Sequence, residues 1–185
     1  MIFYQKTYQK GLSLIEASMV LVLSAVVIVG AMAYYQSASD NKKMDKLSSI
    51  LSRVASSVSV LYANNNNGYR GLDATLVSKL NPGIGKIDSK GRLVLPTGNG
   101  LRVVGNYDYL GQKIWYFTVD DIYPQQCASI LFAMLHMNKA ANSPVLWYSY
   151  NGNWNDWTEI SPSNARVDKI CNAEFETINI SMGFN

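Results

Sequence analysis

The first third of the chain is dominated by one uninterrupted apolar run. From Ala17 to Ser39, 23 consecutive residues carry no charge. A helix rises about 1.5 Å per residue, so a helix over this run is about 35 Å long, enough to cross the hydrocarbon core of a bilayer. A core helix of a soluble protein is rarely so uniformly apolar. The pattern therefore predicts a membrane-spanning helix near the amino terminus.

The same helix is predicted to continue in amphipathic form. After Asp40, Ser and Lys fill one face, and apolar residues recur on the other every three or four positions, at Met44, Leu47, Ile50, Leu51, Val54, Val58 and Leu61. No Pro or Gly occurs from Ala31 to Ala63, and Asn64 opens the first strong stop. We therefore expect one helix of about 50 residues, lipid-soluble in its first half and covered by a globular domain in its second.

The entry to the apolar run is unusual. Ten residues that contain Lys6 and Lys10 but no acid lead to Gly11, and Glu16 is the single carboxylate at the head of the run. A charge costs at least about 2.5 kcal/mol at the centre of a membrane helix, and less near its end. Glu16 is therefore expected either to stay hydrated at the interface or to meet a positive partner.

Two ordinary classes of protein fit parts of this pattern. A Sec signal peptide would have its small-residue exit at Ala31-Met32-Ala33, with a mature amino terminus near Tyr34, but its apolar region is usually about 7–15 residues long and uncharged. A simple membrane-anchored periplasmic domain fits the length, yet gives no reason for Gly11 or Glu16. Both alternatives stay open at this point.

A basic leader that ends in Gly, followed by an apolar helix with Glu five residues later, resembles the processing site of type IV prepilins. The segments GLSLIE at 11–16, MVL at 19–21 and YYQSASD at 34–40 are especially similar to type IVb pilins. Weaker similarities follow at Leu61-Tyr62 and at residues 71–73, so that about a third of the chain matches closely. Ala33 stands where the commoner subclass of type IV pilins usually has Pro, which removes an obvious kink site.

The resemblance implies a sequence of processing steps. The precursor would sit in the inner membrane of a Gram-negative bacterium, and a prepilin peptidase would cut after Gly11 and N-methylate Leu12. The pilus assembly machinery would then polymerise copies of the chain into an extracellular filament for adhesion to host or neighbouring-cell surfaces and for bacterial aggregation. The new Leu12 ammonium would pair with Glu16, so that a subunit docked out of register leaves a charge buried alone.

This interpretation divides the chain into four parts. Residues 1–11 are the leader, 12–39 the membrane-spanning half of the helix, 40–63 its amphipathic half and 64–185 the globular head. The chain would be the major shaft subunit, and the alternative within the family is a minor pilin that initiates or tips the filament.

The head is predicted to be α+β, with the type IV pilin fold of a long helix packed on a mostly antiparallel sheet. Asn64 to Asn106 is rich in turns, with a short helix at Leu76 to Leu80. Further helices are expected from Pro124 to about Asn138, capped by Asp120 or Asp121, and from Ser161 to about Asn172. Strands are predicted at Leu101–Val104, Lys113–Val119, Val145–Tyr150, Trp154–Ile160 and Phe175–Met182. Asn151-Gly152 predicts a two-residue hairpin between the third and the fourth of these strands.

The two cysteines, Cys127 and Cys171, lie far apart and form no CxxC motif. In a chain exported by its amino-terminal helix they are expected to form a disulfide that bounds the C-terminal region, the alternative being two buried free thiols. The bond would close a loop of about 45 residues and stabilise the domain by about 4 kcal/mol.

Composition argues against other functions. The net charge is +3, and removal of Lys6 and Lys10 leaves 3 − 2 = +1, with no basic run, so nucleic acid is not an expected partner. His136 is the single histidine, and no phosphate loop, metal-ligand spacing or nucleophile elbow occurs. We therefore expect neither enzymatic activity nor a metal or other cofactor. Asn179-Ile180-Ser181 matches a glycosylation sequon.

Overall fold

The computed structural model describes residues 14–64, 68–141, 145–153, 157–160 and 167–184, without the side chains of 138–141. The chain divides into two compact units, Met1–Asn41 and Lys42–Asn185. The first contains the start of the long helix, and the second contains the remaining elements.

The predicted long helix is confirmed as α1, which spans Leu14–Tyr62 in 49 residues. Its part within the first unit is exposed throughout, apart from the half-buried Ser39. Within the second unit, the apolar face of α1 is buried, and its buried residues follow the three- and four-residue spacing predicted from the sequence. They are Leu47, Ile50, Leu51, Val54, Ala55 and Val58. The change from exposed to buried apolar residues follows the change from a continuous to a periodic hydrophobic pattern.

The described part of the second unit contains one six-stranded sheet with the order β1-β2-β3-β6-β4-β5. The strands are β1 Leu93–Val94, β2 Gly100–Tyr109, β3 Gln112–Ile122, β4 Val145–Tyr150, β5 Thr158–Ile160 and β6 Ile178–Phe184. Every pairing among these strands is antiparallel, which confirms the predicted sheet type. The last strand, β6, lies between β3 and β4 and joins the two halves of the sheet.

The buried face of the sheet forms one hydrophobic cluster with α1. Trp115, Phe117 and Val119 alternate along β3 and belong to this cluster. The Trp115 ring stacks on that of Phe184 with 4.4 Å between centroids. The two long central strands therefore supply the aromatic part of the core.

The described part of the second unit also contains three shorter helices, α2 at Ala74–Leu80, α3 at Pro124–Ala141 and α4 at Val167–Cys171. Asp73 caps α2, since its carboxylate accepts the amide of Leu76 at 2.7 Å. The predicted short helix is thus confirmed, and so is a helix that begins at Pro124. The predicted start of the last helix at Ser161 lies outside the described residues.

The predicted capping of α3 by Asp120 or Asp121 is wrong. Both residues lie in β3, which runs to Ile122, and the carbonyl of Tyr123 accepts the amides of Gln126 and Cys127 at 2.9 and 3.1 Å. The two carboxylates pair with arginines instead, Asp121 with Arg92 and Asp120 with Arg102. The register of β2 and β3 pairs Asp120 with Gly100, which makes Arg102 its diagonal neighbour.

Both β2 and β3 are longer than predicted. Gly105 does not end β2, because it lies within that strand at a register shift between Val104 and Tyr107. A Cβ at Gly105 would collide with the Tyr69 backbone carbonyl. The last strand begins at Ile178, later than predicted, and Phe175 stacks on Tyr150 with 5.1 Å between centroids.

The predicted turn at Asn151-Gly152 forms, with φ of 52° and 67°. The predicted two-residue hairpin is wrong, however, because the pairing of β4 with β5 begins at Tyr148 and Thr158. The Asn151 side chain accepts the amides of Glu176 and Thr177 at 2.9 and 3.2 Å, so this turn is fixed to the segment before β6. Residues 154–156 of the predicted strand lie outside the described residues.

Candidate functional site

The first candidate site is the amino end of α1. Glu16 lies in the first turn of the described helix and is exposed. A carboxylate there interacts favourably with the partial positive charge of the helix amino terminus. Gly11 and Leu12, the predicted processing residues, lie outside the described residues, so that Glu16 is the one predicted assembly residue that can be placed.

The surface that follows Glu16 is apolar on all sides. An 18-residue window of α1 has a mean hydropathy of 2.4, and none of it is buried. Large side chains such as Leu21, Val27 and Val29 are 71, 69 and 67% exposed. A contiguous apolar surface of this size is a site for contact with lipid or with other protein, because water solvates it poorly.

The hydroxyl groups within this surface are satisfied by the helix itself. Ser18 Oγ donates to the Ile15 carbonyl at 2.8 Å, and Ser24 Oγ donates to the Val20 carbonyl at 2.7 Å. Such bonds to the preceding turn let a serine enter an apolar environment without an unmatched donor. The helix can therefore enter lipid or a bundle of helices without desolvating a free hydroxyl at either position.

The second candidate site is the disulfide-bounded region. Cys127 in α3 is bonded to Cys171 at the end of α4, with 5.6 Å between their Cα atoms and a separation of 44 residues. This confirms the predicted pairing. The enclosed segment contains α3, β4, β5 and α4.

A hydrogen bond supports the same region. Tyr150 at the end of β4 donates its hydroxyl to the Ile170 carbonyl in α4 at 2.8 Å. Burial and the neighbouring Tyr148 raise the pKa of Tyr150 to about 12. Tyr150 therefore remains a donor at physiological pH and holds α4 to the sheet.

A charged network that the sequence did not reveal lies at the end of β3. Arg92 donates to Asp88 at 2.9 Å and to Asp121 at 2.6 Å, and Arg102 donates to Asp120 at 2.8 Å. Burial raises the pKa of Asp120 against the opposing effect of the two arginines, whereas hydrogen bonds led by the Arg92 amide lower the pKa of Asp88. The network fixes the segment before β1 to the sheet. This network could be predicted only if the strand register were known, because its residues are far apart in the sequence.

The remaining candidate residues do not converge on a reaction centre. His136 is exposed on α3. Among the described residues no group of three or more His, Cys, Asp or Glu side chains could hold a metal ion. The sequon residue Asn179 is 5% exposed in β6, where its side-chain oxygen accepts the Asp121 amide at 2.9 Å. A glycan could not be attached there without disrupting the sheet.

Comparison with known proteins gives matches in sequence and in fold. Over 177 residues the chain is 33% identical to the major structural subunit of bundle-forming pilus from Escherichia coli O111:H-, covering 93% of this chain and 88% of that protein. The subunit of the same name from Escherichia coli O127:H6 (strain E2348/69 / EPEC) gives the same identity and coverage. No protein-family profile matches the chain.

Two solved structures share the fold at low sequence identity. TcpA, a type IV pilin from Vibrio cholerae El Tor biotype, matches with a TM-score of 0.51 and 14% identity, covering 78% of this chain and 99% of TcpA. The type IV b pilin from Salmonella typhi matches with a TM-score of 0.51 and 12% identity, covering 75% of this chain and 97% of that pilin. At these identities the likeness concerns the fold.

Proposed function

Since the chain belongs to the type IVb pilin family, with 33% identity to bundle-forming pilus subunits over 93% of its length, we propose that it is the major structural subunit of a type IVb pilus. The precursor is inserted in the inner membrane of a Gram-negative bacterium. It is cleaved after Gly11 and N-methylated at Leu12 by a prepilin peptidase, and the pilus machinery polymerises it into an extracellular filament. The filament serves adhesion and bacterial aggregation.

The observation that carries this proposal is the exposed apolar half of α1. Burial of apolar surface contributes about 25 cal/mol per Å², so this surface favours lipid before assembly and other copies of itself afterwards. Among the described residues, none buries the 18-residue apolar window of α1, whose mean hydropathy is 2.4. Such a segment fits a subunit whose helices form the filament core. The family is one of structural subunits, so the chain is not an enzyme.

The proposed role of Glu16 follows from electrostatics. Cleavage after Gly11 creates an α-ammonium group on Leu12, about one helical turn from Glu16 along the chain. In a filament core, a carboxylate without a positive partner costs several kcal/mol, and pairing with the Leu12 ammonium of a neighbouring subunit removes most of this cost. The main effect of the Glu16–Leu12 pair is therefore to select one docking register between subunits. Its net contribution to the stability of the filament is small.

The proposed division of the chain keeps residues 1–11 as the removed leader, 12–39 as the membrane-spanning and core half of α1, 40–63 as its amphipathic half and 64–185 as the head. The disulfide-bounded region between Cys127 and Cys171 belongs to the head. We place this region on the outer surface of the filament, where it contacts host or neighbouring cells.

Filaments sheared from cells test the proposal. The chain should be their predominant protein, whereas a minor pilin would be present at a low ratio to another subunit. Glu16→Ala should strongly reduce the amount of sheared filament while the precursor still accumulates in the membrane with its disulfide formed. Ser18→Ala is the matched control, since Ser18 is an exposed polar residue of the same segment that bonds only its own helix in the contacts described above. Filaments at the wild-type amount from Glu16→Ala would contradict the register role.

A further inference from the structure

We infer that Tyr34 and Tyr35, here called the tyrosine pair, set the depth of α1 in the bilayer by lying in the headgroup layer on the side opposite to Glu16. This inference rests on the proposed membrane stage of the precursor. The partner is a phospholipid interface. The tyrosine pair, and not Asp40, the first charged residue after Glu16, marks where α1 leaves the hydrocarbon.

The first observation is the exposure of the two rings. Tyr34 and Tyr35 are 79% and 76% exposed, at the end of the purely apolar part of α1. Neighbouring residues of a helix are about 100° apart, so the two rings cover adjacent sides of it. A tyrosine ring has an apolar body and a polar hydroxyl, which makes the boundary between hydrocarbon and headgroups its favoured location in a membrane.

The second observation is the distance between the two polar limits of the apolar surface. Glu16 and Tyr34 are 18 residues apart, which corresponds to about 27 Å along the helix axis. The hydrocarbon core of a bilayer is about 30 Å thick. When the tyrosine pair lies at one edge, Glu16 therefore lies at the other, where its charge costs least.

The direction of side chains on a helix strengthens this match. Each Cα–Cβ bond tilts toward the amino terminus of the helix. Glu16 consequently extends outward, toward the headgroups on its own side, whereas the rings of the tyrosine pair lean back toward the hydrocarbon boundary. Both limits thus favour the same depth.

A depth set by charge alone would be different. The uncharged run extends from Ala17 to Ser39, so its midpoint is Ile28, whereas the midpoint between Glu16 and Tyr34 is Ala25. The two alternatives differ by three residues, or about 4–5 Å. The tyrosine pair keeps the polar residues Gln36, Ser37 and Ser39 in water. It also holds the proposed cleavage site after Gly11 at a constant distance from the membrane.

Cysteine accessibility in the full-length precursor tests the inference. Single cysteines replace Ala33, Ser37 or Ala38, and spheroplasts are treated with a membrane-impermeant maleimide; Cys127 and Cys171 do not react because they are bonded to each other. We expect the cysteines at 37 and 38 to react and the one at 33 to be protected. In the Tyr34→Leu/Tyr35→Leu background, reaction at 37 and 38 should fall about tenfold or more, since these sites then enter hydrocarbon.

The control and the contrary outcomes are well separated. Tyr34→Trp/Tyr35→Trp preserves interfacial aromatic rings and should leave the labelling pattern unchanged. Resistance of the precursor to extraction with alkaline carbonate shows that it is still in the membrane. In that case, protection of residues 37 and 38 in the wild-type background, or unchanged labelling in the leucine variant, would overturn the depth-setting role. Extraction of the wild-type precursor by carbonate would instead overturn the proposed membrane stage, and this inference with it.

Discussion

Leu110 is placed where a leucine is locally unfavourable. Leu110 and Gly111 form the turn between β2 and β3 with φ of 51° and 81°. The left-handed conformation costs an ordinary L-residue about 1–2 kcal/mol, and two-residue turns of this kind favour Asn-Gly. The Leu110 side chain is 87% exposed, so its burial offsets little of this unfavourable free energy. The adjoining Gly111 amide donates to Asp108 at 3.2 Å, which keeps the turn in place.

Leu110→Asn is therefore expected to stabilise the second unit by about 1 kcal/mol, because asparagine tolerates the left-handed conformation better. Guanidinium unfolding of the full-length chain in detergent measures the change. Leu110→Ala is the control, since alanine removes the exposed side chain but keeps the unfavourable Cβ. An asparagine variant no more stable than the alanine variant would contradict this account of the turn.

Tyr150 gives a pH-dependent prediction. Tyr150→Phe removes the hydroxyl that donates to the Ile170 carbonyl and should cost about 1 kcal/mol at neutral pH. In the unfolded chain Tyr150 loses its proton near its ordinary pKa of 10.0, whereas the folded state holds it until about pH 12. The wild-type advantage should therefore be complete below pH 10 and disappear between pH 10 and 12.

Denaturant unfolding of both proteins at several alkaline pH values measures this difference. Tyr123→Phe, at a 54% exposed tyrosine outside this contact, is the comparison that shows whether any tyrosine produces the effect. A constant difference between wild type and Tyr150→Phe from neutral pH to pH 12 would show that the hydroxyl does not hold α4 in the way described.

At the scale of elements, the disulfide determines how α3 and α4 are held together. The bond joins residues 44 positions apart, and closing a loop of this length stabilises a fold by about 4 kcal/mol in the chain-entropy account. Cys127→Ala/Cys171→Ala should lower the free energy of unfolding by about this amount. Alanine is preferred to serine, since Cys127 is fully buried and a hydroxyl there would need a partner.

Reductant provides the control for the disulfide. It should lower the stability of the wild-type chain to about that of the double alanine variant and leave the variant unchanged. If the variant were as stable as the oxidised wild-type chain, the C-terminal region would be held by packing alone.

The elements differ in how well the sequence predicted them. α1 is predicted by its apolar run and by apolar residues that recur every three or four positions, and the strands by their β-branched and aromatic content. The antiparallel sheet type is implied by the pilin-like layout of these elements. The order of strands did not follow, since the central place of β6 between β3 and β4 depends on pairing between distant residues. The sequence predicts Asp120 or Asp121 as a helix cap for the same reason: Arg92, which pairs with both carboxylates, is distant in sequence.

At the scale of the whole molecule, the sequence carried more of the candidate site than of the head. The apolar run, the position of Glu16 and the cysteine pair are patterns of residue type that can be recognised in the sequence. The structure confirms an exposed apolar helix and the disulfide between the two cysteines. The fixed turn at Asn151 and the bond of Tyr150 to α4 were not predictable, because each depends on a backbone group more than 15 residues away. Local pattern therefore predicts the long apolar helix, and tertiary contacts define the surface of the head.

The central claim is that α1 is retained after the leader is removed, so that its exposed apolar half can form the core of a filament. The most direct test is the intact mass and amino-terminal sequence of the chain in sheared filaments. We predict a chain that lacks residues 1–11, begins at Leu12 and is heavier than the unmodified 12–185 chain by one CH2, because a methyl group replaces one hydrogen of the Leu12 amine. A chain that still begins at Met1, or one that begins near Tyr34, would contradict the account.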